Sequence, residues 1–441
     1  MVKRILLLNT VLLLFLISCK TGKKKPEHLE KFVKVVNTSF YVNGKPYYFL
    51  GTNFWYGINL GAEKEGQRDR LIRELDHLQN LGITNLRIVG LSEGPDGQPY
   101  RMLPAVQNKP GEFNEDLLAG LDFLLAEMSK RNMYAVICLG NFWPWSGGWG
   151  QYMLWSKSAD SIPYPPPHPG GEWDRYQKFS AKFYSDTAAV KMYHNAIKHI
   201  VTRKNSITKI NYKDDPTIMA WQLCNEPRGM DNQEDYNKWI DNTAALIRQW
   251  DPNHLISAGT EGYTPDPEYA GVDVKENHNG PNIDYVTCHI WVENWGWYDP
   301  AKNDQTYDDA IHKMEDYLKQ HVDAARKVGK PLVIEEFGLA RNNGDYAPSA
   351  PTSVRDKYYE KVFEQAYKFA SLSTPVAGIN FWAWGGEGRP KTPGTIWKKG
   401  DPFTGDPPHE LQGWYSVYDT DTSTQKIIKE YAEKMNSLDF K

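Results

Sequence analysis

The sequence predicts an α/β fold, a single-domain (β/α)8 TIM barrel with long loops at its C-terminal face. Three observations predict it. Short apolar, strand-like runs alternate with longer runs of helical periodicity, and eight strand runs can be counted. Those runs are apolar on both faces, as strands of a parallel sheet covered by helices must be. No change of composition divides the chain, and 441 residues suffice for one large domain.

Residues 40–49 read as a hairpin turning at Asn43-Gly44, a pair that accepts the positive φ of a tight turn. The first core strand follows over 49–55. Leu71, Ile72, Leu75, Leu78 and Leu81 recur at helical spacing, and Gly82 stops that helix. The second strand is 83–89, a helix covers 115–131, and the third strand is 133–139. A long aromatic and proline-rich loop over 141–177 then precedes a helix over 178–203. Its length suits a wall or lid, or a brace on the barrel's side. The fourth strand is 217–225, ended by Pro227, which cannot continue a sheet ladder. A helix over 234–250, a fifth strand over 255–258 and a sixth over 283–289 follow. The link between these last two has the weakest helical signal. A helix over 306–328, a seventh strand over 332–336, a helix over 353–371, an eighth strand over 376–384 and a helix over 424–435 complete the series.

Ahead of this series the chain is of another kind. Lys3 and Arg4 precede an apolar run over 5–17, too short for a convincing membrane span. It ends Leu16-Ile17-Ser18-Cys19, which resembles a bacterial lipobox. Residues 1–18 are therefore expected to be a signal peptide and Cys19 a lipidated N-terminus, ordinary cleavage being the alternative. Residues 19–34 are expected to be a flexible tether and 35–441 the barrel. This describes an exported bacterial lipoprotein, periplasmic or cell-surface, that meets the membrane only through its lipid. The net charge of −4 argues against nucleic acid as a partner. Cys138, Cys224 and Cys288 each lie in an apolar run, read as buried thiols, and show no metal-site spacing.

Barrel chemistry gathers at the C-terminal ends of the strands. Arg87, Asn225, Glu226, His289, Glu336 and Trp382 all fall there, from five different strands. Two carboxyls so placed, Glu226 and Glu336, are the minimal equipment for hydrolysing a glycosidic bond. Glu335 competes with Glu336, because alternation along a strand lets only one of them face the mouth. Trp382 and Trp384 share a face, and either could lie under a sugar.

Asn225-Glu226-Pro227 and Glu336-Phe337-Gly338 resemble the signatures of the clan A glycoside hydrolases, family five in particular. The resemblance spans about 35–440, and the stretches 50–55, 221–228, 259–262, 289–291 with 294–297, and 381–385 resemble the endo-β-1,4-mannanase subfamily. It implies retention of configuration by two glutamates, no metal and no cofactor. By resemblance Glu226 is the acid/base and Glu336 the nucleophile, their carboxyls roughly 5–5.5 Å apart. Burial and a nearby charge should raise the Glu226 pKa, while Arg87 holds that of Glu336 down. Asn225 matches the residue that bonds the sugar 2-hydroxyl, and His289 one that lies near the nucleophile. Trp291 stands where many members have a tyrosine, which argues against the cellulase branch. Arg228 matches a residue on the leaving-group side, the alternative being a surface ion pair. Asn53, Trp55 and Trp143 are further substrate-binding candidates, with Asn141, Trp145, Trp295 and Trp297 placed to line a cleft.

The expected activity is endo-hydrolysis of β-1,4-mannosidic bonds in mannan, glucomannan or galactomannan by a monomer. A family-five endo-glucanase, an exo-acting β-mannosidase and a non-catalytic glycan-binding lipoprotein are the alternatives.

Overall fold

The computed structural model describes residues 31–439, so the expected signal peptide, Cys19 and most of the expected tether lie outside the described residues. Eight parallel strands form the barrel: β1 (Phe49–Asn53), β2 (Asn85–Val89), β3 (Tyr134–Cys138), β4 (Ile218–Gln222), β5 (Leu255–Ser257), β6 (Val286–Ile290), β7 (Leu332–Phe337) and β8 (Val376–Phe381). Their order is β5-β4-β3-β2-β1-β8-β7-β6. The ladder is therefore open between β5 and β6. Single backbone bonds bridge that seam, Asp284 N to the Ile256 carbonyl and His289 N to the Glu261 carbonyl, both 2.8 Å. The seam falls where the sequence carried least helical signal. The crossover there has only two short helices, Pro267–Ala270 and α5 below.

The outer ring is α1 (Arg68–Asn80), α2 (Glu115–Lys130), α3 (Thr187–Val201), α4 (Gln233–Trp250), α5 (Val274–Asn279), α6 (Asn303–Val328), α7 (Ser353–Ser371) and α8 (Thr422–Asn436). Apart from the short α5, each buries an apolar stripe against the barrel, and nearly every strand residue is buried. Asn114 caps α2, and Asp186 caps α3 by accepting from Ala188 N and Ala189 N at 3.0 Å. That cap at Asp186 divides the single helix expected over 178–203. A separate helix, Trp173–Ala181, precedes it inside the long β3–α3 loop.

Three other boundaries differ from the sequence reading. Phe32 and Val33, assigned to the tether, are buried, and Lys34–Val36 pairs with Ser39–Val42. Apolar side chains able to reach the barrel's underside do not stay in a tether. The hairpin does turn at Asn43 and Gly44, at φ 52° and 74°. Strand β8 ends at Phe381, and Trp384–Gly386 pairs separately with Val417–Tyr418. Strand β4 ends at Gln222, so Asn225 and Glu226 belong to the loop that follows it.

Candidate active site

Glu226 is held by backbone bonds that outlast β4. Asn225 N donates to the Gly140 carbonyl at 2.8 Å and Glu226 N to the Gly259 carbonyl at 2.9 Å. The loop is thus clamped between its neighbours after β3 and β5. Glu226 itself has φ 53°, a left-handed conformation uncommon for a side chain that bears a Cβ. Its carboxyl meets Trp143, His289 and Trp291.

Glu336 and Glu335 are placed by a bulge. Where β6 pairs with β7, Cys288 faces Ile334 but His289 faces Glu336. The extra residue breaks the alternation that should have sent one glutamate outward. Both carboxyls are buried, and both lie near Arg87. Glu335 sits beside Gln222 and Tyr285, accepting from Gln222 Nε2 at 2.6 Å, with Arg87 Nε 3.7 Å away. Glu336 accepts directly from Arg87 Nη1.

Arg87 organises this floor. Its guanidinium also donates to Gln222 Oε1 (2.8 Å), Asn53 Oδ1 (3.0 Å) and Asn225 Oδ1 (2.8 Å). Asn225 Nδ2 in turn donates to Asn141 Oδ1 at 3.1 Å. Burial works against the Arg87 charge, but Glu336 and Glu335 outweigh it and raise its pKa. Asn53 and Trp55 are not on the open cleft as expected. Asn53 Nδ2 donates to the Glu335 carbonyl at 2.8 Å, and the Trp55 indole donates to the Gly405 carbonyl at 2.9 Å. Both lie under the site among buried groups, so they position Arg87 and the β8 loop.

His289 lies between the two candidate catalytic carboxyls. Its Nδ1 is 2.5 Å from Glu226 Oε1 and 3.2 Å from Glu336 Oε2. One oxygen from each glutamate and the imidazole nitrogen all fall within 4.8 Å of one another. That proximity belongs to the short-separation class of carboxyl pairs, not to the wide class that leaves room for a water. Glu226 Oε2 accepts from the Trp143 indole at 2.5 Å, and Trp291 Nε1 lies 3.3 Å from Oε1. Trp291 therefore serves the acid/base candidate, whereas the resemblance had set a tyrosine against the nucleophile.

The ionisation order differs from expectation. Burial pushes Glu226 up, but the bond to His289, its charge and that of Arg228 prevail and draw the carboxyl down to about 2. Burial pushes Glu336 up, and the pull of His289 and Arg87 only partly offsets it. Burial works against the His289 charge, yet Glu336 and Glu226 hold its pKa well above the usual imidazole value. The proton expected on Glu226 is thus stored on His289, one hydrogen bond away.

Above this floor is a cavity of about 400 Å³. Trp382 forms part of its wall, whereas Trp384 points away and donates to Glu74 Oε2 at 2.7 Å. Trp143, Trp145, Trp291 and Trp295 also line it. Trp297 instead packs on Trp295 and Tyr317. Arg228 is not a surface ion pair. It is nearly buried, bonded to Glu261 Oε2 (2.5 Å from Nη2) and Gln177 Oε1 (2.5 Å from Nη1), with its guanidinium 5.2 Å from the Trp143 ring centroid. Burial and the Glu226 charge lift Glu261 to about 7, against the pull of Arg228.

Sequence reasoning missed several lining residues. Glu261 lay in a quoted stretch but was given no role. Trp173 and Gln177 sit on the extra helix of the β3–α3 loop. His409, Glu410 and Trp414 come from the loop after β8, where nothing in the local sequence marks a site. The rings of Trp173 and His409 lie 6.1 Å apart, so the two loops meet over one side of the mouth. Cys138, Cys224 and Cys288 are buried and unpaired, as expected.

The family model described as GH family 5 beta-mannosidase-like matches residues 30–439. The chain belongs to glycoside hydrolase family 5. Its relatives in this family include mannan endo-1,4-beta-mannosidase 7 of Arabidopsis thaliana, 32% identical over 364 residues, covering 80% of this chain and 77% of that one. A family 5 mannosidase from Rhizomucor miehei has a crystal structure that matches with TM-score 0.85 and 42% identity, covering 92% of this chain and 98% of that one. A variant of that mannosidase has been solved in complex with mannosyl-fructose. The endo-1,4-beta-mannanase of the same organism, at 20% identity and TM-score 0.65, shares the fold.

Proposed function

We propose that this family 5 hydrolase cleaves β-1,4-mannosidic bonds in mannan, glucomannan or galactomannan, with retention, from within the chain. The observation that carries the chemistry is the close trio of Glu226, His289 and Glu336 beneath a tryptophan-walled cavity. The choice of mannan rests on the named activity of relatives about 30% identical.

In the first step Glu336, ionised and held by Arg87, attacks the anomeric carbon, and the glycosidic oxygen takes a proton from Glu226. That proton comes from the Glu226–His289 pair. Forming the glycosyl ester removes the negative charge of Glu336, the leading charge that sustains the imidazolium. His289 is then left neutral and Glu226 ionised, the state required to draw a proton from water in the second step. Asn225, fixed by Arg87 and Asn141, is placed to bond the sugar 2-hydroxyl. Trp382 supplies an apolar wall for the sugar at the cleavage point.

An exo-acting β-mannosidase is the second reading. The contact of Trp173 with His409 favours it, because a closed side of the mouth would admit only a chain end. Incubation with mannan, glucomannan and cellulose, with product sizes resolved, decides. Mixed short mannooligosaccharides support the endo reading, mannose or mannobiose alone supports the exo reading, and cleavage of cellulose alone would overturn both. We further propose that the chain is a monomer anchored by lipid at Cys19. Fatty-acid labelling that persists in Cys19→Ala would refute that anchor.

A further inference from the structure

We propose that Tyr269 is a sugar platform outside the walled cavity, forming a distal subsite for the second sugar on the leaving-group side. The proposal rests on reading the cavity as the β-mannoside site. Among the described phenylalanines, tyrosines and tryptophans, Trp173 and Tyr269 are the two that stand exposed, 42% and 40%. The other tryptophans of the cavity wall face inward, so these two offer ring faces outside it. Trp173 lines the cavity, and Tyr269, on a different loop, stands next to Gln177, which also lines it.

Tyr269 belongs to the short helix Pro267–Ala270 in the β5–α5 loop. Its hydroxyl donates to Asp174 Oδ1 at 3.0 Å, and Gln177 Nε2 lies 3.5 Å from its oxygen. Gln177 lines the cavity and also accepts from Arg228 Nη1 at 2.5 Å. Contacts thus run outward from Glu226 through the Trp143 indole and the Arg228 guanidinium over it to Gln177 and Tyr269, and with Glu226 read as the proton donor this side is assigned to the leaving group. The phenol is tethered across two loops before any ligand arrives, so little ordering is left for binding to impose. A tyrosine tied by its hydroxyl leaves an apolar face to stack on the apolar face of a neutral pyranose. Asp174, exposed beside it, offers an acceptor for a sugar hydroxyl. The ligand class is therefore an uncharged β-linked oligosaccharide with at least two sugars beyond the cleaved bond.

The test compares wild type, Tyr269→Ala and Tyr269→Phe on an aryl β-mannoside and on mannotetraose. The aryl group reaches only the first leaving-group position. For Tyr269→Ala the expected result is a loss of roughly three- to tenfold in kcat/KM on mannotetraose, carried by KM, with the aryl mannoside unchanged. Tyr269→Phe should keep most of the tetraose activity. Equal losses on both substrates, or no loss on the tetraose, would overturn the platform. If wild type cleaves cellotetraose and an aryl glucoside but no mannoside, the mannan reading fails while the same comparison in the gluco series still decides Tyr269. If wild type cleaves neither series, the functional reading is overturned and Tyr269 with it.

Discussion

Nδ1 of His289 lies 2.5 Å from Oε1 of Glu226, so one proton serves both groups. Burial depresses His289, but the Glu336 and Glu226 carboxylates raise it well above its ordinary value. A raised pKa keeps the shared proton in place below that value and releases it as pH climbs through it. The alkaline limb of kcat/KM should therefore lie above the ordinary imidazole value of about 6.5. His289→Ala should lower kcat/KM by roughly 10²-fold and move that limb to lower pH, because Glu226 must then hold the proton alone. A pH–rate profile checks this, and an unmoved limb would refute the shared proton.

Glu336→Gln should lower kcat by about 10⁴-fold or more, since no second carboxyl can take the attacking position. Glu335→Gln should keep most of the activity, because Glu335 faces Gln222 and Tyr285 below the floor. Steady-state rates on one mannooligosaccharide compare the two. If the losses are reversed, the nucleophile is Glu335.

Trp173→Ala should open the side of the mouth now closed against His409. The expected outcome is a shift toward longer products from mannan, seen by chromatography of early digests. An unchanged product pattern would mean that the ring contact does not limit chain entry.

Asp122, fully buried on α2, accepts from Arg203 Nη2 at 2.9 Å and from the Tyr212 hydroxyl at 2.6 Å. Burial pushes its carboxyl up, but these bonds prevail and hold it below the usual range. A depressed carboxyl stabilises the fold above its unfolded pKa of about 3.9, and that stabilisation fades as pH falls through the folded value. Asp122→Ala should cost about 3–5 kcal/mol, as expected when one member of a buried pair is removed. Denaturant unfolding at neutral pH measures it.

The barrel and its floor were legible because they follow from local rules. Periodicity marked the eight strands, and the ends of those strands carried Arg87, Glu226, His289 and Glu336. The ionisation order was not legible, since it depends on the position of one imidazole between two carboxyls. Nor was the bulge at Glu335 and Glu336, because a register shift between β6 and β7 leaves no mark in either strand. The walls were least legible. Trp173, His409 and Glu410 come from loops distant in sequence, and only the folded chain brings them to one mouth. Asn53 and Trp55 were misread for the converse reason: being at a strand end does not say whether a side chain points up or under.

Glu226 adopts φ 53° at the point where the chain leaves the barrel wall. For a residue with a Cβ this conformation costs roughly 1–2 kcal/mol, and a glycine there would be free of it. The fold thus carries its proposed general acid as a tolerated misfit, clamped by Gly140 and Gly259 on either side. Random mutation selected for thermal resistance alone would have reason to discard this glutamate first. On the proposed role, selection for turnover would keep it, and the difference in melting temperature between wild type and Glu226→Gly measures the conflict between durability and catalysis at this one position.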